Sequence, residues 1–186
     1  MHLSAKLGVI AALLSSAALA QSSPPHERLE GPTLPEYVVG FRAGNAEQSI
    51  REEVPRGENV QRWTRMVTTQ WFAGVSSKIT AVDFAALMVR DFPRSCPSGQ
   101  VSTPQVLEVS GRPAAQVRAD CPLLRSTNRP ETFIMLVVSG EADLMVRQVA
   151  FRSVPTAEDI EWADAVLGGT VWCKVGEVEP PCDREP

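Results

Sequence analysis

Beyond its first twenty residues the chain has one histidine, His26, and two lysines, Lys78 and Lys174. A Ser-His-Asp or Cys-His group needs an imidazole held rigidly beside its nucleophile. His26 lies in the Ser/Pro-rich stretch QSSPPHERLEGPTLP, where nothing predicts such a hold. The same scarcity leaves no histidine–carboxylate cluster for a metal. No two cysteines are spaced C-x-x-C, which argues against a redox-active pair or a zinc site. No glycine-rich phosphate loop follows a strand: Gly168-Gly169 closes a helix and lacks the lysine such a loop needs. Positive charge is also in short supply. With 18 Lys and Arg against 22 Asp and Glu the net charge is −4, so there is no general electrostatic case for nucleic acid or an anionic membrane. A cofactor is not expected.

What is present begins with an export signal. Lys6, the apolar run Leu7 to Leu14 and Ala18-Leu19-Ala20 read as a Sec-type signal peptide cleaved after Ala20. No second long apolar run follows, so no transmembrane anchor is expected after signal removal. The 166 residues then left, at net charge −5 once Lys6 is gone, suit one domain with a real core. All four cysteines, Cys96, Cys121, Cys173 and Cys182, lie in the exported part. An even count in an oxidising compartment predicts two disulfides, and Cys96–Cys121 with Cys173–Cys182 close the most local loops of the three possible pairings.

Residues 21–35 read as a flexible leader and 36–186 as a single domain with a disulfide-clipped tail. Tyr37, Val39 and Phe41 alternate as a strand, and Glu47 to Val54 runs back as a second. Val60, Trp63, Val67 and Trp71 recur at helical spacing, which predicts a helix over Asn59 to Phe72 with Asn59 as its N-cap. A capping-box-like start at Thr80 opens a second helix that Pro93 should stop near Asp91 or Phe92. Strands follow at Val106 to Val109, Ala115 to Cys121, Phe133 to Val138 and Leu144 to Phe151, the first two joined by a hairpin turn at Ser110-Gly111. A second capping box at Thr156 opens the last helix, which Gly168-Gly169 ends. The expected class is therefore α+β: a mostly antiparallel sheet of about six strands with three helices packed on it, in the order β-β-α-α-β-β-β-β-α.

Within that frame the tryptophans and arginines of the first predicted helix are the candidate ligand-binding set. Arg62 and Arg65 share an outer face and are suited to an anion or an acidic partner; the alternative is a solvated face that offsets Glu52, Glu53 and Glu58. Trp63 and Trp71 are suited to line a groove, or else to fill the core. Glu158, Asp159, Glu161 and Asp164 are explained by helix capping and the dipole rather than by acid–base catalysis. No catalytic or metal-ligating residue is expected.

The run GFRAGNAEQSIREEVPRGENVQRWTRMVTTQWF resembles a family of uncharacterised exported bacterial proteins. Those carry an N-x-x-x-S-I strand (here Asn45 to Ile50), a P-x-G-E-x-V turn (Pro55 to Val60) and a W-x-x-M-V/I-T helix (Trp63 to Thr68). Further matches fall at Arg112-Pro113-Ala114-Ala115, at Asp120-Cys121-Pro122 and near Cys173 and Cys182, so the likeness spans most of residues 36–182. The element order also resembles PsbP-like α/β/α sandwich domains, which implies a binding or assembly module rather than an enzyme. The expectation is a periplasmic or secreted, disulfide-stabilised binding or assembly module of the cell envelope, with an envelope protein or a small ligand as partner. The alternative is a histidine-independent hydrolase built on a serine with a carboxylate, Lys78 or Lys174.

Overall fold

A computed structural model describes residues 27–174. The predicted signal segment and its cleavage point, residues 21–26 of the predicted leader, and Cys182 lie outside the described residues. The described elements are β1 (Glu27–Glu30), β2 (Tyr37–Gly44), β3 (Gln48–Pro55), β4 (Arg65–Phe72), α1 (Ala81–Ser95), β5 (Gln100–Val101), β6 (Gln105–Val109), β7 (Arg112–Leu124), β8 (Arg129–Ser139), β9 (Leu144–Phe151), α2 (Ala157–Gly168) and β10 (Val171–Lys174). The class is α+β and the pairing antiparallel throughout, as expected. The described count is two helices and ten strands, not three and six.

Strands β2-β3-β4-β9-β8-β7-β5 form one sheet in that order, with β6 also paired to β7; β1 and β10 make a separate two-stranded ribbon. The sheet is covered on both faces. Ile134, Leu136 and Val138 of β8 pack in one cluster with Ala163, Val166 and Leu167 of α2 and Trp172 of β10. Met135 and Val137, between them in sequence, pack in a second cluster with Ala81 and Ala85 of α1. Two covered faces explain why FIMLVV is continuously apolar rather than alternating. Each such side chain contributes about 1.5–3 kcal/mol on burial. The β6–β7 hairpin closes on Ser110 and Gly111, both with positive φ (49° and 72°), the pairing that matches strand twist in a two-residue loop.

The largest departure from the sequence reading is the predicted tryptophan helix, which does not form. Arg65–Phe72 is strand β4, paired along its length with β9. Val67 and Trp71 do share a face, but at a spacing of four residues a strand also puts them on one side. The segment RMVTTQWF is rich in β-branched and aromatic residues, whose stiff side chains favour the pleated backbone. Asn59 caps, as its chemistry suggests, but what it caps is a turn: its side-chain oxygen accepts the N–H groups of Gln61 and Arg62, both at 3.0 Å. Trp63 is buried, though it reaches the core from the segment leading into β4.

Two smaller corrections follow the same logic. Part of the predicted leader is ordered: β1 pairs with β10 from Glu27 to Glu30. The buried Glu27 carboxylate accepts the backbone N–H groups of Glu141 and Ala142 at 2.8 Å each, capping the β8–β9 turn from outside. Composition alone does not register one such long-range bond. Helix α1 also runs through Pro93 to Ser95. A proline in the last turn forgoes one backbone bond, and only a short stretch of helix depends on it.

Cys96 and Cys121 are bonded, with Cα atoms 5.8 Å apart, tying the end of α1 to β7. Their loop spans 25 positions, so removing both cysteines should cost about 3 kcal/mol in the chain-entropy model. Non-reducing peptide mapping should recover the Cys96–Cys121 pair; free thiols in exported material would refute it. Trp63→Ala should cost about 3–5 kcal/mol, as a fully packed indole does. A denaturation midpoint close to wild type would put Trp63 outside the core.

Candidate functional site

The N-terminus of α2 sits over the start of β4, and the space between them is an open cleft of about 450 Å³. It is lined by Tyr37 from β2, Pro55 from β3, Thr64 and Arg65 at the entry to β4, Phe151 and Ser153 at the end of β9, and Asp159 from α2. Sheet register explains the grouping. Tyr37 lies opposite Pro55, and Arg65 opposite Phe151, so these side chains reach the same end of one sheet face.

Trp162 is the hub. It lies one helical turn after Asp159, which brings both to the sheet. Tyr37 stacks on its ring at 5.6 Å between centroids and 17° between planes. Phe151 meets it edge-on at 6.1 Å. The Arg65 guanidinium lies 5.2 Å from the ring centroid. Three groups on one half-buried indole hold it in a single orientation, and each such contact adds roughly 0.5–1.5 kcal/mol beyond area burial.

Charge in the cleft is balanced. Arg65 forms an ion pair with Asp159. The other Asp159 oxygen accepts the backbone N–H of Thr156 at 2.8 Å and its hydroxyl at 2.9 Å, completing a capping box. These bonds, the backbone one foremost, hold the Asp159 carboxyl below the usual carboxylate range, with Arg65 adding to the effect. Tyr37 moves the other way: burial pushes its hydroxyl up to about 12 against the partial opposition of Arg65. Tyr37 is therefore a neutral hydrogen-bonding group at any physiological pH. The Thr64 hydroxyl is already engaged, donating to Glu58 at 2.8 Å. The arrangement leaves no net charge from the Arg65–Asp159 pair and offers aromatic surface beside a few polar atoms.

Of the four ligand-binding candidates only Arg65 lies in this cleft. Arg62 is exposed in the Asn59–Arg62 turn. Trp63 is buried beneath the Arg152 guanidinium, 4.2 Å from its centroid, and Arg152 is paired with Glu131 at 2.9 Å. Trp71 lies half-buried farther along the same sheet face, its indole N–H donating to Asp143 at 2.7 Å. Lys78 is exposed, and Lys174 pairs with Glu141 at 2.8 Å; neither lines the cleft. Sequence reasoning missed Tyr37 and Trp162 as a pair, because 125 positions separate residues that only the sheet and α2 bring together. The usable signal was Trp162 itself, a large apolar side chain beside the capping acid of a helix. Among the described residues no group of three or more His, Cys, Asp or Glu is placed to hold a metal, and no helix is long and apolar enough to cross a membrane.

Tyr37 is the only tyrosine in the chain, so ultraviolet titration reads it alone. Its ionisation should occur near 12 in the folded protein rather than near the usual 10. The unfolded chain then releases this proton first, and stability should decline as pH rises from about 10 towards 12. A folded-state midpoint at 10 would show that the ring is open to water.

No protein-family model matches the chain, and no curated protein matches it. Three solved structures are similar to it at 10% sequence identity each. One is LpqN, involved in cell envelope biogenesis of Mycobacterium tuberculosis, with TM-score 0.45 over 82% of this chain and 87% of that one. A second is a Pseudomonas aeruginosa protein of unknown function, with TM-score 0.44 over 73% and 88%. The third is cyanobacterial PsbP (CyanoP) from Synechocystis, with TM-score 0.45 over 85% and 97%, so a PsbP protein is among the structures this chain is similar to.

Proposed function

We propose that the protein is an exported, non-enzymatic binding module of the cell envelope, and that the cleft between α2 and the start of β4 takes a small ligand or a partner's side chain. The observation that carries this reading is the open cleft of about 450 Å³, whose lining residues Tyr37, Phe151 and Arg65 are all held by contact with Trp162. Concave sites of this size with convergent polar groups beside apolar ones are a usual place for a ligand, and here Thr64, Arg65, Ser153 and Asp159 stand beside Tyr37, Pro55 and Phe151. Export is supported by the signal-like first twenty residues and by a disulfide whose two cysteines are buried, a linkage that persists in oxidising compartments.

The ligand has a flat or apolar part to lie along Tyr37 and Phe151. It also has an acceptor for the Tyr37 hydroxyl or a free Arg65 N–H. The Arg65–Asp159 pair cancels its own charge, so a net-neutral or weakly polar ligand fits better than a multiply charged one.

Mature protein isolated from periplasm, examined by native mass spectrometry and then by calorimetric titration with any species retained, should show one binding equivalent. Trp162→Ala and Arg65→Ala should each weaken it about tenfold or more, roughly 1.4 kcal/mol. Equal binding by both variants would remove the cleft from the function. Turnover of an ester, peptide or glycoside that survives extensive purification would overturn the non-enzymatic reading.

A further inference from the structure

A second feature of the same sheet face is independent of the cleft. Arg42 of β2 lies directly opposite Arg51 of β3, Arg51 opposite Thr69 of β4, and Thr69 opposite Arg147 of β9. Three arginines therefore stand in one row across four adjacent strands. Like charges directly opposite each other on a sheet are destabilising. One carboxylate serves the row: Glu53 binds Arg51 at 2.9 Å. Among the described residues Arg42 and Arg147 form no ion pair, and Asp143, nearby on the same side, is engaged by Trp71 and by the N–H of Gly74.

Arg147 is the unusual member. It is 4% exposed, and its one side-chain hydrogen bond among the described residues goes to the Thr69 hydroxyl at 3.2 Å. Its Nε and that of Arg51 are both buried without a partner. Burial holds the Arg147 guanidinium below its ordinary value, with Arg51 acting in the same direction and Glu53 against it. The backbone of Gly31 packs directly on the guanidinium, where an added Cβ would come within 2.4 Å. A buried cation short of its counter-charge is costly, and in folded proteins such groups are paired. The outer end of the row is open: Arg42 is exposed and the Arg51 side chain keeps 41% of its surface.

We propose that this row is an anion-binding site, taking the carboxylate or phosphate of a small molecule at Arg42 and Arg51, with Arg147 supplying fixed positive charge from beneath. Guanidinium forks match both anions in geometry, and two of them on adjacent strands can grip one group from two sides. Trp71, opposite Ser49 in the neighbouring row, borders the site and offers a fluorescent readout.

The test titrates the mature protein with phosphate and, separately, with succinate, each against chloride at constant ionic strength, following melting temperature and tryptophan fluorescence. A saturable rise in melting temperature is expected, and the stronger of the two arms identifies the anion class. Arg42→Gln and Arg51→Gln should each weaken the apparent affinity about tenfold. Arg42→Gln should melt no lower than wild type in anion-free buffer, since it removes the like-charge opposition. Arg65→Ala should leave the anion response intact, which separates this site from the cleft. No saturable response to either anion, a response unchanged in both Gln variants, or a lower melting temperature for Arg42→Gln without anion would each overturn the proposal.

Discussion

Burial of β8 and β9 on both faces is the constraint on which the remainder of the structure depends. Val137, Val138, Val146 and Val149 are almost fully removed from water although they point to opposite sides of the sheet. A strand buried on both sides needs a cover on each, and the chain supplies them in different forms. Helix α1 closes one face and is pinned to β7 by the disulfide. On the other face α2 and the β1–β10 ribbon share the work, with Leu29 and Trp172 completing the cluster. Strands β2 and β3 lie at the sheet's edge, where β2 is largely exposed.

Both proposed sites arise where the cover on the α2 face gives out. The helix begins at Ala157, and the aromatic cluster around Trp162 marks where its first turns meet the ends of β2, β4 and β9. Farther along the strands the apolar rows give way to arginines, with Gly31 the last covering group over Arg147. The two places differ in kind. The cleft balances its charges internally, through Arg65, Asp159 and Thr156, and offers shape. The arginine row leaves positive charge in excess and offers a field.

Much of this order was legible in the chain. The capping chemistry at Thr80 and Thr156 marks both described helices, since a hydroxyl that accepts an orphan N–H acts within four residues. The hairpins at Ser110-Gly111 and Ser139-Gly140 and the Cys96–Cys121 pair follow from similarly local signals. The segment from Asn59 to Phe72 was misread because Val60, Trp63, Val67 and Trp71 fit a helical spacing, whereas the decisive partners lie about eighty positions away on β9. Strand β1 escaped notice for the same reason: its stabilising bonds run to Glu141, Ala142 and β10. Among the candidate ligand residues, Arg65 was singled out on the outer face of a helix that does not form; as part of β4 it turns to the α2 side, where Tyr37 and Trp162 became its neighbours only through folding.

The sequence by itself determined the class of fold and the α1–β7 disulfide, because each depends on residue type, count or short spacing. It also marked the strand at Phe133 to Val138, where β8 forms. The tertiary structure alone decided that the tryptophan segment is a strand, that Glu27 holds a turn more than a hundred residues away, and that Arg42, Arg51 and Arg147 stand in one row. The physical reason is that helical and strand periods both place residues i and i+4 on one side. Which of the two forms is settled by the partners that bury that side, and those partners come from distant parts of the chain.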